Sequence, residues 1–168
     1  MQLSNVPGIV IESSSLSSVF LNRDVIVDFY LPKNVPDPSH INLLLINDGQ
    51  ILDELGFETI LERLYSEKKI NPLLCVGIHA GEERIMEYGT AHCRDYKGRG
   101  AKAVLYTSFV FEELLPYISK TYRVPEFKEK AFLGFSLGGL SALDIVWNHP
   151  TEFSRAGVFS GSLWWRKL

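Results

Sequence analysis

A serine lies at the centre of a glycine-rich hexapeptide, Gly134-Phe135-Ser136-Leu137-Gly138-Gly139. The apolar residues before it predict a β-strand, and the residues from Leu137 to His149 follow a helical period. A serine at the apex of such a strand–turn–helix unit is exposed, and glycines relieve the crowding that side chains would cause in so sharp a turn. This arrangement favours a nucleophilic role for Ser136. The alternative is a glycine-rich turn with a structural role only.

A nucleophilic serine also needs N–H donors for the negative charge that develops on the attacked oxygen. The backbone N–H of Leu137, which opens the following helix, is the first candidate. The second should lie in the turn after an earlier central strand, where the sequence is Asn47-Asp48-Gly49-Gln50. There Gly49 lets the backbone approach a substrate, and the N–H of Gln50 or of a neighbour donates. We expect Asp48 to cap this turn, with a ligand-facing acid as the alternative.

The hydroxyl of a catalytic serine further needs a base, usually histidine, and an acid that orients it. His149 precedes a proline and is predicted to end the helix that follows Ser136, pointing away from the serine; Asp144 lies on the same helix. His79 and His92 come before the serine, and a loop histidine satisfied by the backbone is the favoured interpretation of both. We therefore expect the acid and the base to lie beyond residue 168.

Six stretches predict β-strands. They lie at residues 9–12, 24–30, 41–46, 73–79, 131–134 and 156–160. From the third onward, strands and helices alternate, which predicts one α/β domain over residues 1–168 with a mainly parallel, doubly wound sheet and an antiparallel N-terminal edge. The serine follows the fifth strand, as it does in the α/β-hydrolase fold. We predict that fold without its C-terminal strands, and a turn at the serines of 13–18.

Helices are predicted roughly from Asp53 to Lys68 and from Tyr106 to Lys120, the second kinked or divided by Pro116. The segment from Ala80 to Ala103 is polar and has no clear period. A loop of this length is unusual unless it serves a site. Within it, Glu82-Glu83-Arg84 is predicted to be a solvated charge cluster.

The composition excludes several classes of protein. Apolar residues make up 46% of the 168 residues and the net charge is −3, so nothing favours a nucleic-acid partner. No apolar run approaches a membrane span, and residues 1–5 lack the features of a signal peptide, which favours a cytoplasmic protein. Cys75 is predicted to be a core residue and Cys93 a free thiol, with a disulfide between them as the alternative. No metal or other cofactor is expected.

Several segments, in order along the chain, resemble the Putative esterase family of α/β-hydrolases, which includes enterochelin esterases, S-formylglutathione hydrolase, feruloyl esterases and mycolyltransferases. The matching segments are Leu44 to Gln50, Arg84 with Glu87-Tyr88, Phe109 with Glu113 to Ile118, Tyr122-Arg123-Val124, Leu133 to Gly139, His149-Pro150, Phe153 and Ser160 to Trp165. The Asp-Gly-Gln turn resembles the enterochelin-esterase-like members more than those members that have His-Gly at this place.

The resemblance implies a serine carboxylic-ester hydrolase acting on a small-molecule ester. It implies that Ser136 accepts the acyl group, that Leu137 and the turn with Gly49 and Gln50 form the oxyanion region, and that the Arg84 segment shapes the site. Two alternatives remain open: transfer of the acyl group to a sugar hydroxyl, and a catalytically inactive fragment or binding domain.

The last residues of the chain have two interpretations. Trp164 and Trp165 either line an acyl or aromatic pocket or belong to the core. The last strand, at 156–160, is predicted to have a free edge beside apolar surface, which favours a homodimer or aggregation.

Overall fold

A computed structural model describes residues 8–33, 35 and 41–165. Residues 1–5, on which the prediction of no signal peptide rests, lie outside this range. The strands are β1 (Ile9–Ser18), β2 (Arg23–Pro32), β3 (Asn42–Asn47), β4 (Leu73–Ile78), β5 (Lys130–Phe135) and β6 (Arg155–Phe159). The helices are α1 (Phe57–Ser66), α2 (Arg84–Glu87), α3 (Ala103–Ser108), α4 (Leu115–Tyr122) and α5 (Leu137–Asn148), with a 3-10 turn at Gly49–Ile51.

Across the described residues the strands form one sheet in the order β1-β2-β4-β3-β5-β6. The first two strands form an antiparallel hairpin, and β2 is antiparallel to β4. The pairs β4–β3, β3–β5 and β5–β6 are parallel, with Leu45 of β3 in register with Val76 on one side and Phe132 on the other. The predicted parallel sheet with an antiparallel edge is therefore confirmed.

Helices cover both faces of the sheet, as the nearly unbroken apolar runs of β3 and β4 require. On one face, Leu45 and Val76 belong to a large core that includes Ile118 of α4 and Ile145 of α5. On the other face a smaller core of buried residues contains Ile46, Cys75 and Leu61 of α1. This arrangement confirms the doubly wound α/β architecture. None of the helices among the described residues is long and apolar enough to cross a membrane.

The first hairpin is longer than the sequence suggests. The serines of 13–18 were expected in a turn, but β1 continues through Ser18, which is in register with Arg23. Leu16 and Ser18 are buried while Ser15 and Ser17 are exposed. A strand can carry polar residues on a face that is exposed to solvent. Because serines here occupy buried as well as exposed positions, the sequence shows no apolar–polar alternation.

Both predicted helices also differ in detail. The first begins at Phe57 rather than Asp53, because Gly56 takes a left-handed conformation with φ 62°. The second region is helical from Ala103 to Tyr122, but residues Phe109–Leu114 form a π-helical segment. Pro116 follows directly in the first turn of α4, where its missing N–H costs least. The helical region is therefore divided just before this proline, where the π-helical segment ends and α4 begins.

Candidate active site

Ser136 occupies a strained turn between β5 and α5. Its φ of 52° and ψ of −117° are rarely adopted by a residue with a side chain. Its N–H donates to the carbonyl of Phe159 at 2.9 Å, and its carbonyl accepts from the N–H of Ser162 at 3.1 Å and of Leu140 at 3.2 Å. These three bonds hold the conformation, and the serine side chain is exposed to solvent.

The glycines around Ser136 have the steric role expected of them. A Cβ on Gly134 would overlap the carbonyl group of Gly138, and one on Gly139 would lie 2.9 Å from the carbonyl oxygen of Gly134. A Cβ on Gly138 would lie 2.8 Å from Oδ2 of Asp48. The strand and the helix therefore approach each other at distances that only glycine permits. The helix approaches the turn after β3 in the same way.

Buried side-chain hydrogen bonds connect the end of β3 to the start of α5, and the turn after β3 to the long loop. The amide of Asn47 donates to the carbonyl of Gly138 at 2.8 Å and accepts from the hydroxyl of Tyr106 at 2.5 Å. The hydroxyl of Tyr88 accepts from the N–H of Asp48 at 3.2 Å. The structure thus brings the turn that holds Gly49 and Gln50 beside the helix that begins after Ser136.

The N–H groups proposed for the oxyanion are free to donate. Among the described residues, the backbone N–H groups of Leu137, Gly49 and Gln50 have no acceptor. Gly49 has a further reason to be glycine, since its Cα packs on the backbone of Gly77 in β4 and a Cβ would overlap it. The side chain of Gln50 accepts from the N–H of Ala80 at 3.0 Å, and the residue is exposed.

Asp48 does not cap its turn, contrary to the sequence prediction. Its side chain makes no capping hydrogen bond, and its carboxylate accepts from Nε of Arg84 at 2.6 Å and from Nη2 at 2.8 Å. This bond raises the pKa of Arg84 although burial opposes it. Arg84 is therefore not part of a solvated cluster, whereas Glu82 and Glu83 are exposed as expected. This bidentate ion pair joins residues that are 36 positions apart, and the spacing of residues in the sequence does not reveal such a contact.

A second buried ion pair anchors the loop that carries Arg84. Glu87 is fully buried and accepts from Nε of Arg23 at 2.8 Å and from Nη2 at 2.7 Å. Tyr88 is also fully buried, and burial raises the pKa of its hydroxyl. The segment Arg84–Tyr88 is therefore held beside the turn after β3 by ion pairs and hydrogen bonds. The role in shaping the site that the resemblance implies for this segment stays a prediction.

None of the histidines that the structure describes forms a hydrogen bond with Ser136. Nε2 of His79 lies 2.5 Å from Oδ2 of Asp28, so its partner is a carboxylate rather than the backbone. The ring of His149 packs on Phe111 with centroids 4.4 Å apart, and His92 is exposed. Within the described ranges no histidine contacts the hydroxyl of Ser136.

The described end of the chain packs on the long loop. Trp165 is buried, and its indole N–H donates to the carbonyl of Cys93 at 2.9 Å, which makes it a core residue. Trp164 is 47% exposed, and the guanidinium of Arg99 lies over its ring at 4.9 Å. The core interpretation therefore holds for Trp165, and for Trp164 the interpretation as a pocket residue stays a prediction. Cys75 and Cys93 are both free thiols, and the described residues hold no group of three metal-ligating side chains.

Comparison with known proteins identifies the family. A family model described as "Putative esterase" matches residues 18–168. The chain belongs to this family. It is 27% identical over 142 residues to the uncharacterized protein YbbA of Bacillus subtilis, covering 81% of this chain and 56% of YbbA. It is 25% identical over 183 residues to the ferri-bacillibactin esterase BesA of the same organism, covering 96% and 61%.

Solved structures of other proteins share the fold. The enterochelin esterase of Shigella flexneri superimposes with a TM-score of 0.76 at 22% identity, covering 99% of this chain and 39% of that one. This chain thus spans about half to three fifths of the length of the two Bacillus subtilis relatives that it matches.

Proposed function

We propose that Ser136 is the nucleophile of a carboxylic-ester hydrolase. The observation that carries the proposal is the exposed Ser136 on a strained strand-to-helix turn, followed by the N–H of Leu137, which has no acceptor among the described residues. Membership of the Putative esterase family supports the same reaction. Strain that three hydrogen bonds maintain is typical of functional sites.

The reaction proceeds in two steps. Oγ of Ser136 attacks the ester carbonyl while its proton passes to a base, and the carbonyl oxygen becomes negative. The N–H groups of Leu137 and of Gln50 or Gly49 donate to that oxygen, at the positive end of α5. The intermediate collapses to an acyl-serine and releases the alcohol, which takes the proton from the base. Water then attacks the acyl-serine by the reverse sequence and releases the acid.

The base is the part of this mechanism that the described residues do not provide. His79 is paired with Asp28, His149 packs on Phe111, and the exposed His92 forms no hydrogen bond with Ser136. We therefore place the histidine and its orienting acid outside the described residues, as the sequence analysis expects. Removal of that histidine in the protein expressed from its whole gene should abolish turnover while Ser136 remains intact.

The names of two matched proteins suggest the first substrates to test. BesA is named a ferri-bacillibactin esterase, and the matched Shigella flexneri enzyme is named an enterochelin esterase. We propose that this protein acts on small-molecule esters of this kind. A simple chromogenic ester should also be cleaved if the acyl-serine forms as described.

The experiment uses the protein expressed from its whole gene. Short-chain p-nitrophenyl esters and then bacillibactin and enterochelin are supplied to the parent, to Ser136→Ala and to Ser154→Ala, which removes an exposed hydroxyl near the amino end of β6. We expect turnover by the parent and by Ser154→Ala, and a loss of roughly a thousandfold or more in Ser136→Ala. Turnover that survives in Ser136→Ala, or no turnover of any ester by the parent, would overturn the proposal.

A further inference from the structure

A second serine lies beside the proposed nucleophile. Oγ of Ser162 is 3.2 Å from Oγ of Ser136. Ser162 is only 4% exposed, whereas Ser136 faces solvent. The two residues are 26 positions apart and meet because β6 lies parallel to β5 and ends at the same edge of the sheet.

The position of Ser162 is fixed by its backbone rather than by a flexible contact. Its N–H donates to the carbonyl of Ser136 at 3.1 Å, and its carbonyl accepts from the N–H of Trp165 at 3.3 Å. The N–H of Ser136 donates in turn to the carbonyl of Phe159. The last residue of β6 and the turn after it therefore hold the two backbone groups of Ser136, and this turn also presents a hydroxyl to the side chain of Ser136.

We propose that Ser162 is a positioning residue, whose hydroxyl donates a hydrogen bond to Oγ of Ser136 and orients it for attack. This inference rests on the proposed function. A serine hydroxyl has one donor and two acceptor lone pairs. During attack, the proton of Ser136 goes to the base and one lone pair forms the bond to the acyl carbon, so the other lone pair accepts from Ser162.

The bond to Ser162 should strengthen during the reaction. Negative charge builds on Oγ of Ser136 as its proton leaves, and a hydrogen bond to a charged acceptor is stronger than one between neutral groups. The same bond assists the second step, when Ser136 leaves the acyl group. Ser162 is buried, so water competes little for its hydroxyl.

Replacing Ser162 by alanine isolates the hydroxyl. The backbone N–H of residue 162 still donates to Ser136 in this variant, so the strained turn keeps its three hydrogen bonds. The matched variants are Ser162→Thr, which restores a hydroxyl, and Ser154→Ala, which removes an exposed hydroxyl that bonds the carbonyl of Lys130. Each is made in the protein expressed from its whole gene.

The measurements are the rate of labelling of Ser136 by a fluorophosphonate probe, kcat and KM for a p-nitrophenyl ester, and the melting temperature. In Ser162→Ala we expect the labelling rate and kcat to fall roughly ten- to a hundredfold, with KM and the melting temperature close to the parent. Ser162→Thr should recover most of the rate, and Ser154→Ala should equal the parent.

Two results would overturn the inference. In one, Ser162→Ala reacts at the parent rate while Ser136→Ala is inactive. In the other, activity and melting temperature fall together and Ser162→Thr restores neither, which identifies a structural role. Failure of the proposed function looks different, because the parent itself is then neither labelled at Ser136 nor impaired by Ser136→Ala.

Discussion

Arg84 and Asp48 form a bidentate ion pair between the long loop and the turn after β3, with both carboxylate oxygens of Asp48 engaged. The side chain of Asp48 is 6% exposed and that of Arg84 is 30% exposed. The guanidinium also lies over the ring of Tyr88 at 5.1 Å. Because a nearly buried carboxylate depends on its partner, this pair fixes the turn that holds the proposed oxyanion donors.

Removing one member of this pair should cost more stability than removing both. Arg84→Met leaves the carboxylate of Asp48 buried without its cation, and we expect a loss of about 2–3 kcal/mol in the free energy of unfolding. The double variant Arg84→Met with Asp48→Asn should recover part of that loss. Urea unfolding of both single variants and the double variant measures the coupling. If the loss in the double variant equals the sum of the losses in the two single variants, the ion pair makes no net contribution to stability.

The glycines at the turn give a second prediction. Gly134→Ala places a Cβ on the backbone of Gly138, which neither rotamer changes nor small shifts relieve. We expect this variant to be insoluble or to lose several kcal/mol of stability, since the overlap involves backbone atoms at the centre of the sheet.

The matched control for Gly134→Ala is Gly98→Ala. Gly98 has φ 78°, and a Cβ there meets nothing within 4 Å. It should lose only about 1 kcal/mol, the strain of a left-handed alanine. Thermal melts of the two variants measure the difference, and similar losses would contradict the steric account of the turn.

The sequence indicated the local parts of the site correctly. The strand before Ser136, the helix after it and the glycines that allow their close approach are properties of adjacent residues. Period and composition therefore predicted them. The alternation of strands and helices from β3 onward likewise predicted the parallel sheet.

The parts that sequence analysis missed depend on distant residues. Ser162 reaches Ser136 only through the pairing of β6 with β5, and Arg23 reaches Glu87 across 64 residues. Neither contact leaves a period or a spacing in the sequence. The cap predicted for Asp48 failed for the same reason, because a tertiary partner displaced the local hydrogen bond.

The edge of the sheet at β6 gives a third prediction. Among the described residues β6 pairs only with β5, and Phe159 is 52% exposed. The strand carries one cation, Arg155, and no acid or proline, so little opposes pairing with another strand. We predict that the chain of residues 1–168 forms a dimer through this edge at high concentration.

Light scattering tests this prediction on the chain and on Ala156→Lys, which adds a charge to the free edge. We expect a dimer mass for the parent chain and a monomer mass for Ala156→Lys. Val19→Lys is the control, since Val19 is 86% exposed in the turn of the first hairpin, at the opposite edge. A monomeric parent at high concentration, or a dimer that Ala156→Lys leaves unchanged, would contradict the prediction.

Acid should release the tryptophans at the described end of the chain. Arg99 lies over the rings of Trp164 and Trp165, and the carboxylate of Asp95 accepts from its Nε at 2.5 Å and its backbone N–H at 2.8 Å. Burial tends to raise the pKa of Asp95, but the hydrogen bonds from Arg99 and Lys97 outweigh burial and lower this pKa from its usual value. A carboxyl group whose pKa is lower in the folded than in the unfolded protein stabilises the folded state at a pH above its unfolded-state pKa. This contribution disappears as the pH falls through the folded-state pKa.

Tryptophan emission should therefore shift towards that of a solvated indole below about pH 4, as protonated Asp95 loses its hold on Arg99. The measurement uses a Trp147→Phe background, because Trp147 is 79% exposed and would add a constant signal. In that background Asp95→Asn should show the shifted emission already at neutral pH, whereas Asp24→Asn, at an exposed position, should behave like the parent. An acid transition that is the same in Asp95→Asn and in the parent would assign the shift to another carboxyl group.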